Sequence, residues 1–368
     1  MTWQDLGEGE AIDQAVERFH RTLVDRSQSP VAASRALATL ILDPILPALT
    51  GKQRLLIAPE GQLNRIPFEA LRTPSDRDLI EQFEITTLTS GRDLLRLQTE
   101  VESRQPPILF TNPDYNQAGA TASHPEGERG QGWAGLAQLQ FGPLPGTAAE
   151  GRAIAALLPE ATLLTGAAAT ENALKQVEGP QILHIATHGF FLGDLPPVPP
   201  ADTRGLGVVS ATELQDLPVA PASEAILENP LLRSGLALAG FNQRASGDED
   251  GALTALEAAG LDLYGTQLVV LSACETGLGE VTTGEGVYGL RRAMTIAGAE
   301  TLVMSLWQVD DQATQEAMTA YYRYLLAGAG RSAALRQVQL DFIHRHDRYS
   351  HPYFWAAFIV SGNWQPLA

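Results

Sequence analysis

Between residues 107 and 361 the chain alternates short apolar, β-branched runs with longer stretches whose apolar residues recur at helical spacing, and few architectures accept that order. Strands separated by helix-length crossovers pair parallel, and a parallel sheet needs helices over both faces. The strands expected are Ile108 to Thr111, Thr162 to Thr165, Gln181 to Thr187, Gly235 to Ala239, Leu268 to Ala273, Thr301 to Leu306 and Trp355 to Ser361. Between them the spacing predicts helices over Thr147 to Leu158, Glu171 to Val177, Leu253 to Leu263, Gly286 to Ala297, Gln312 to Leu326 and Arg331 to His346. Asp114 to Gln140, Asp194 to Asn229 and Arg244 to Gly251 are rich in Gly, Pro, Ala or acidic residues and read as exposed loops. The fold class expected is α/β, a mostly parallel sheet with helices on both faces.

Ahead of this block, Ala11 to Asp25 and Ser34 to Leu49 read as two packing helices. Arg54 begins a small α/β piece whose second strand lies near Phe83 to Leu88 and which holds no cluster of candidate catalytic residues. A helical lead-in over 1–50, an accessory part over 51–105 and a main domain over 106–368 follow. Of the 368 residues, 25 are Lys or Arg and 43 Asp or Glu, a net charge of −18. Such a surface repels nucleic acid and anionic membranes, so neither is expected as a partner. The opening MTWQDLGEGEAID lacks the basic start and apolar core of a signal peptide. Asp43, Pro44 and Pro47 interrupt the longest apolar region, so no membrane span is expected. A soluble, cytoplasmic chain is the expectation.

Cys274 is the only cysteine. One thiol forms neither an intramolecular disulfide nor a multi-cysteine zinc site, so it is either a small buried hydrophobe or a lone nucleophile. The run Leu268 to Leu271 makes a strand buried on both faces, and Cys274 falls at its carboxyl end, where open α/β sheets collect their chemistry. The run Gln181 to Thr187 ends likewise in His188-Gly189. Two parallel strands ending in His188 and Cys274 would bring imidazole and thiol to one sheet edge. An unassisted thiol, with a pKa of about 8.5, is only a few per cent thiolate at pH 7, and a neighbouring histidine remedies that. The backbone N–H groups of Gly189 and Cys274 are the candidate oxyanion donors. A metal held by His184 and His188 is rejected, because four residues of strand span roughly 13 Å. His184, inside the strand, reads as a hydrogen-bonded core residue.

Here the chain resembles a known family. His188-Gly189 and Ala273-Cys274 resemble the paired His-Gly and Ala-Cys signatures of caspase-like cysteine peptidases, the clan that includes separases and metacaspases. ILHIATHGFF, NPLLRSGLALAG, LTALEAAGLDLYGTQLVVLSACETGLGE, GEGVYGLRRAMTIAGAETLVMSLWQVDD and HPYFWAAFIVSGNW look like the CHAT domain, named for caspase, HetF and association with TPR repeats. The resemblance covers roughly residues 51 to 368. It implies a caspase-like three-layer sandwich, a His188 and Cys274 dyad, a protein substrate, endopeptidase activity and no cofactor. TPR or other helical repeats often accompany this domain, whereas this chain carries a short helical lead-in, so a separate regulatory protein or the lead-in itself is left to control it.

Other features weigh less. GEGVYG at 284–289 matches a dinucleotide fingerprint formally, but about ten residues separate it from its strand and Glu285 would repel a pyrophosphate. Asp310 and Asp311 read either as caps of the helix beginning at Gln312 or as carboxylates receiving a basic substrate residue. Glu275 and Glu280 receive no catalytic role. Trp307, Tyr353, Phe354 and Trp355 read as core, and His344, His346 and His351 as a surface cluster at a helix's negative end. The competing function is a silent or latent scaffold that binds a partner through the same groove; a scaffold has no chemical need for His188 or Cys274.

Overall fold

The computed structural model describes residues 3–99, 101–119, 136, 139–191, 230–275, 285–307 and 310–368, with the backbone alone for residues 230, 273–275 and 285–288. The apolar runs become strands: β1 (Arg54–Ile57), β2 (Glu84–Thr87), β3 (Ile108–Pro113), β4 (Thr162–Gly166), β5 (Ile182–Phe191), β6 (Ser234–Ala237), β7 (Ala252–Thr254), β8 (Leu268–Glu275), β9 (Thr301–Ser305) and β10 (Phe358–Gly362). They form one sheet in the order β1-β2-β10-β9-β8-β5-β3-β4, with β6 pairing to the end of β5 and β7 to β6. Pairing is parallel except for β9 with β10, β5 with β6, and β6 with β7. The N-terminal strands belong to this same sheet, joined where Ser361 pairs with Thr87 and the Thr87 hydroxyl donates to the Val360 carbonyl at 2.8 Å.

The main helices are α1 (Gly9–Val24), α2 (Val31–Ile41), α3 (Pro145–Leu157), α4 (Glu171–Lys175), α5 (Glu285–Ile296), α6 (Asp311–Leu326) and α7 (Arg331–Ile343). One layer holds α3 on β3, with α6 against α3 and α7; α5 packs on β6, β8 and β9. The three-layer α/β sandwich implied by the resemblance is thus observed, with helices on both faces. Leu268, Val269 and Val270 of β8 are fully buried, each such side chain contributing about 1.5–3 kcal/mol. Gly151 lets α3 lie directly on the sheet, since a Cβ there would come within 2.3 Å of the Thr111 hydroxyl.

Several local expectations are corrected. The helix expected over Leu253 to Leu263 is β7 followed by a short helix, Ala255–Ala258, because Thr254 and Glu257 form a capping box that starts it one residue past the strand. Trp355 belongs to a helical turn, Pro352–Trp355, and the last strand begins only at Phe358. His351 caps that turn, its Nδ1 accepting from Tyr353 N–H at 3.1 Å and its Nε2 lying 2.8 Å from the Gln28 carbonyl, while His344 ends α7. Of Asp114 to Gln140, residues 120–135, 137 and 138 lie outside the described residues; of the others, Tyr115, Leu136 and Leu139 are buried in a second small core with Phe141, Phe190 and Phe241. Arg244 to Gly251 is also tied down, Ser246 Oγ accepting from Glu171 N–H and Glu171 Oε2 from Gly251 N–H. Asp194 to Asn229 lies outside the described residues.

Candidate active site

The ladder between β5 and β8 runs from Ile182 opposite Leu268 to Gly189 opposite Glu275, and it sets His188 directly opposite Cys274. Adjacent strands lie about 4.8 Å apart, so the two backbones are immediate neighbours. The Cys274 thiol and the Glu275 carboxylate lie outside the described residues, as do Gly277, Gly279, Glu280 and Gly284. The strand bearing His188 does not stop at Thr187. It continues to Phe191 because β6 pairs antiparallel with residues 189–191, so Gly189 has Leu236 on one side and Glu275 on the other.

The His188 ring is half-buried and held from three sides. Its Nε2 is 2.9 Å from the carbonyl oxygen of Gly142. A carbonyl only accepts, so Nε2 carries the proton and Nδ1 keeps the lone pair. Phe141 stacks on the imidazole at 4.8 Å and 20°. Tyr115 stands 5.3 Å away, and its hydroxyl accepts the His188 backbone N–H at 3.3 Å while meeting Thr187 Oγ1 at 2.9 Å. Burial pushes the Tyr115 phenol up to about 12, so it stays neutral. Burial also holds the His188 pKa below 6.5, against the Gly142 hydrogen bond and the Asp311 charge, which both raise it. At neutral pH the ring is therefore a neutral imidazole with its lone pair on Nδ1.

Beneath His188 lies a cavity of about 30 Å³, lined by Glu150, Thr187, Ser272, Ser305, Asp311 and Thr314 among others. The two neighbouring aspartates divide their work. Asp310 accepts from the N–H groups of Gln312 and Ala313, both at 3.1 Å, and is the N-cap of α6. Asp311 faces the cavity and sits on Gly146, where a Cβ would clash with it at 2.6 Å. Deeper still, the fully buried His184 meets the Tyr322 hydroxyl at 3.1 Å through Nδ1. Its Nε2 approaches Glu150 Oε1 to 3.1 Å, although the ring N–H is not aligned on the oxygen, so that contact is electrostatic rather than a full hydrogen bond. Glu150 Oε2 accepts from Ser272 Oγ at 3.2 Å. His184 is the core histidine its place in the strand suggests.

The remaining features fall to packing. Gly289 brings α5 against β6, a Cβ there lying 3.1 Å from Ser234 Oγ. Trp307 is buried, its Nε1 donating to the Tyr353 carbonyl at 3.1 Å. Glu171, Glu249 and Glu257 converge, but the Lys175 ammonium stands at 2.8, 2.9 and 3.0 Å from their oxygens, where a cation would sit. Reading the sequence missed Tyr115, Phe141, Gly142 and Glu150. Glu150 alone carried a signal: it shares the buried helical face of Thr147 and Ile154, an acid at a core position.

A family model for the CHAT domain matches residues 31–363. Tetratricopeptide repeat protein 28 of Homo sapiens is 28% identical over 346 residues, covering 89% of this chain and 13% of that protein, and the Mus musculus protein matches to the same extent. The chain thus spans 13% of the length of the curated relatives it matches. Among solved structures it is similar to the Arg specific cysteine proteinase gingipain R, with a TM-score of 0.48 and 9% identity over 98% of this chain and 74% of that one. It is also similar to the Saccharomyces cerevisiae separase-securin complex, with a TM-score of 0.38 and 11% identity over 82% of this chain and 15% of that one. Among the described residues no helix is long and apolar enough to cross a membrane. With a single family model matching all but the chain's two ends, the chain belongs to the CHAT domain family.

Proposed function

We propose that the chain is a cysteine endopeptidase acting on protein substrates through a thioester acyl-enzyme. The observation that carries this reading is the register of His188 against Cys274, joined to a His188 ring whose Nε2–H is engaged by the Gly142 carbonyl and whose Nδ1 is left as base. His188 takes the thiol proton, and the sulfur attacks the peptide carbonyl carbon. The backbone N–H groups of Gly189 and Cys274 are the proposed donors to the oxyanion. The tetrahedral intermediate collapses as the C–N bond breaks, and the imidazolium returns its proton to the leaving amine. Water, deprotonated by the same ring, then attacks the thioester and releases the acid and the thiol. No step calls for a cofactor.

The test is the pH dependence of alkylation of the single thiol, in the native protein and in His188→Ala. Coupling predicts fast alkylation with a midpoint well below about 8.5, lost or shifted upward in the variant. Slow alkylation indifferent to His188 would sink the dyad and leave a scaffold that binds a partner. Asp311 is the proposed contact for a basic substrate residue, since its carboxylate faces the cavity beside His188 whereas that of Asp310 is spent on the cap. Asp311→Asn is expected to move the acidic limb of thiol reactivity to lower pH, because a carboxylate that raises the His188 pKa has gone. It is also expected to abolish any preference for Lys or Arg peptides over Leu or Met ones. A preference that survives intact removes the assignment.

A further inference from the structure

The His188 ring is held by Phe141 and Gly142, which precede α3, and by Tyr115, which follows β3; both segments converge on one side chain from a third. Asn242 lies in the single turn Phe241–Gln243 after β6. Its Oδ1 accepts from Phe141 N–H at 2.9 Å, and its Nδ2 donates to the Phe141 carbonyl at 2.9 Å. The amide thus pairs with both backbone groups of Phe141 as a neighbouring strand would. The same Nδ2 donates to Asn116 Oδ1 at 2.9 Å, and the Asn242 backbone N–H donates to the Tyr115 carbonyl at 2.9 Å. Below the amide, Phe241 packs on Phe141 at 4.9 Å. One residue therefore ties together the segments that bear the stacking ring, the tautomer-setting carbonyl and the tyrosine.

We infer that Asn242 is a positioning residue that sets the tautomer and orientation of His188 by fixing Phe141-Gly142 against it. Among the described residues no hydrogen bond joins Asn242 to His188; it acts through the peptide between Phe141 and Gly142. A side chain with one acceptor and two donors is the chemical requirement, because Phe141 presents an N–H and a carbonyl side by side and Asn116 a second acceptor. Without it the Gly142 carbonyl is free to swing from Nε2, and the imidazole proton can move to Nδ1, where it would block the base. The consequence for catalysis rests on the peptidase reading; the tautomer itself does not.

The experiment is therefore read at two atoms. Nitrogen NMR of histidine-labelled protein at pH 7.5, with the His188 signals assigned by their loss in His188→Ala, reports the tautomer directly. Thiol alkylation under the same conditions reports the dyad. Native protein is expected to show one Nε2–H tautomer, and Asn242→Ala a mixture, with alkylation slowed roughly 10–100-fold, the scale on which small misplacements remote from the chemistry are felt. Asn242→Gln, which keeps both amide groups on a longer stem, is expected to recover much of the native tautomer. Should Asn242→Ala not fold, Asn242→Asp keeps the size and the acceptor, replaces the donor by a charged oxygen that repels the Phe141 carbonyl and Asn116 Oδ1, and carries the same expectation. An unchanged single tautomer in the folded variant overturns the positioning role. A mixed tautomer with unchanged alkylation upholds it and overturns the peptidase reading instead.

Discussion

Glu150→Ala is expected to destabilise the fold by about 3–5 kcal/mol, read as a drop in the urea midpoint at pH 7 with little change in slope. Glu150 is 1% exposed and meets both Ser272 Oγ, at 3.2 Å, and His184 Nε2, at 3.1 Å. Truncation leaves the buried Ser272 hydroxyl without its acceptor, at about 1–3 kcal/mol, removes the electrostatic contact with His184 Nε2, and adds a cavity between α3 and the sheet. Glu150→Gln keeps the volume and the acceptor for Ser272, and should cost about 1 kcal/mol. A Glu150→Ala protein within 1 kcal/mol of native would mean that water enters and satisfies the orphaned groups. The chain Ser272, Glu150, His184, Tyr322 would then be packing without energetic coupling.

His188→Ala is expected to lower kcat/KM for peptide-bond cleavage by about 10²–10⁴-fold at pH 7, the usual worth of a positioned acid–base group. The native rate should rise with pH along a limb lying below 6.5, because burial favours the neutral ring. The sign of the linkage is the same for stability. The unfolded chain, with its histidine at an ordinary 6.5, binds the proton more readily than the folded one, so the stability His188 contributes is complete above about pH 6.5 and is lost as pH falls through its lowered folded value. Peptide cleavage checks the first and the urea midpoint the second, each read across pH 5 to 8. A variant that cleaves at more than half the native rate, or an acidic limb well above 6.5, would exclude His188 as the base. Replacing Cys274 separately by Ala distinguishes a wrong base from a wrong nucleophile.

The strands and the proposed dyad were legible because their signals are local. A run such as Leu268 to Leu271 declares a buried strand through its own side chains, and a polar residue placed just past such a run comes out at the sheet's carboxyl edge whatever the neighbouring strands are. The cap at Asp310 was legible for the same reason, its acceptors being spent on N–H groups two and three residues away. Where two local signals competed, the boundary went astray. Thr254 and Glu257 begin a helix inside a stretch already helical in its apolar spacing, and Pro352 opens a helical turn where aromatic residues suggest a strand.

The surroundings of His188 were illegible because they are non-local. The bonds between Asn242 and Phe141 join residues 101 apart in the chain, and that between Asn242 and Asn116 residues 126 apart. No periodicity or cap announces such a contact; it exists only once β3, β5 and β6 have converged. By itself, then, the sequence determined the α/β class, most of the strands and helices, and which histidine and cysteine lie toward the carboxyl ends of their strands, since each follows from patterns within a dozen residues. Only the tertiary structure decided that β10 lies between β2 and β9, parallel to the first and antiparallel to the second, that Asp311 rather than Asp310 faces the cavity, and that the Gly142 carbonyl selects the tautomer of His188. These are outcomes of packing between distant segments, where the free energy lies in burial and hydrogen bonds that no single stretch of chain contains.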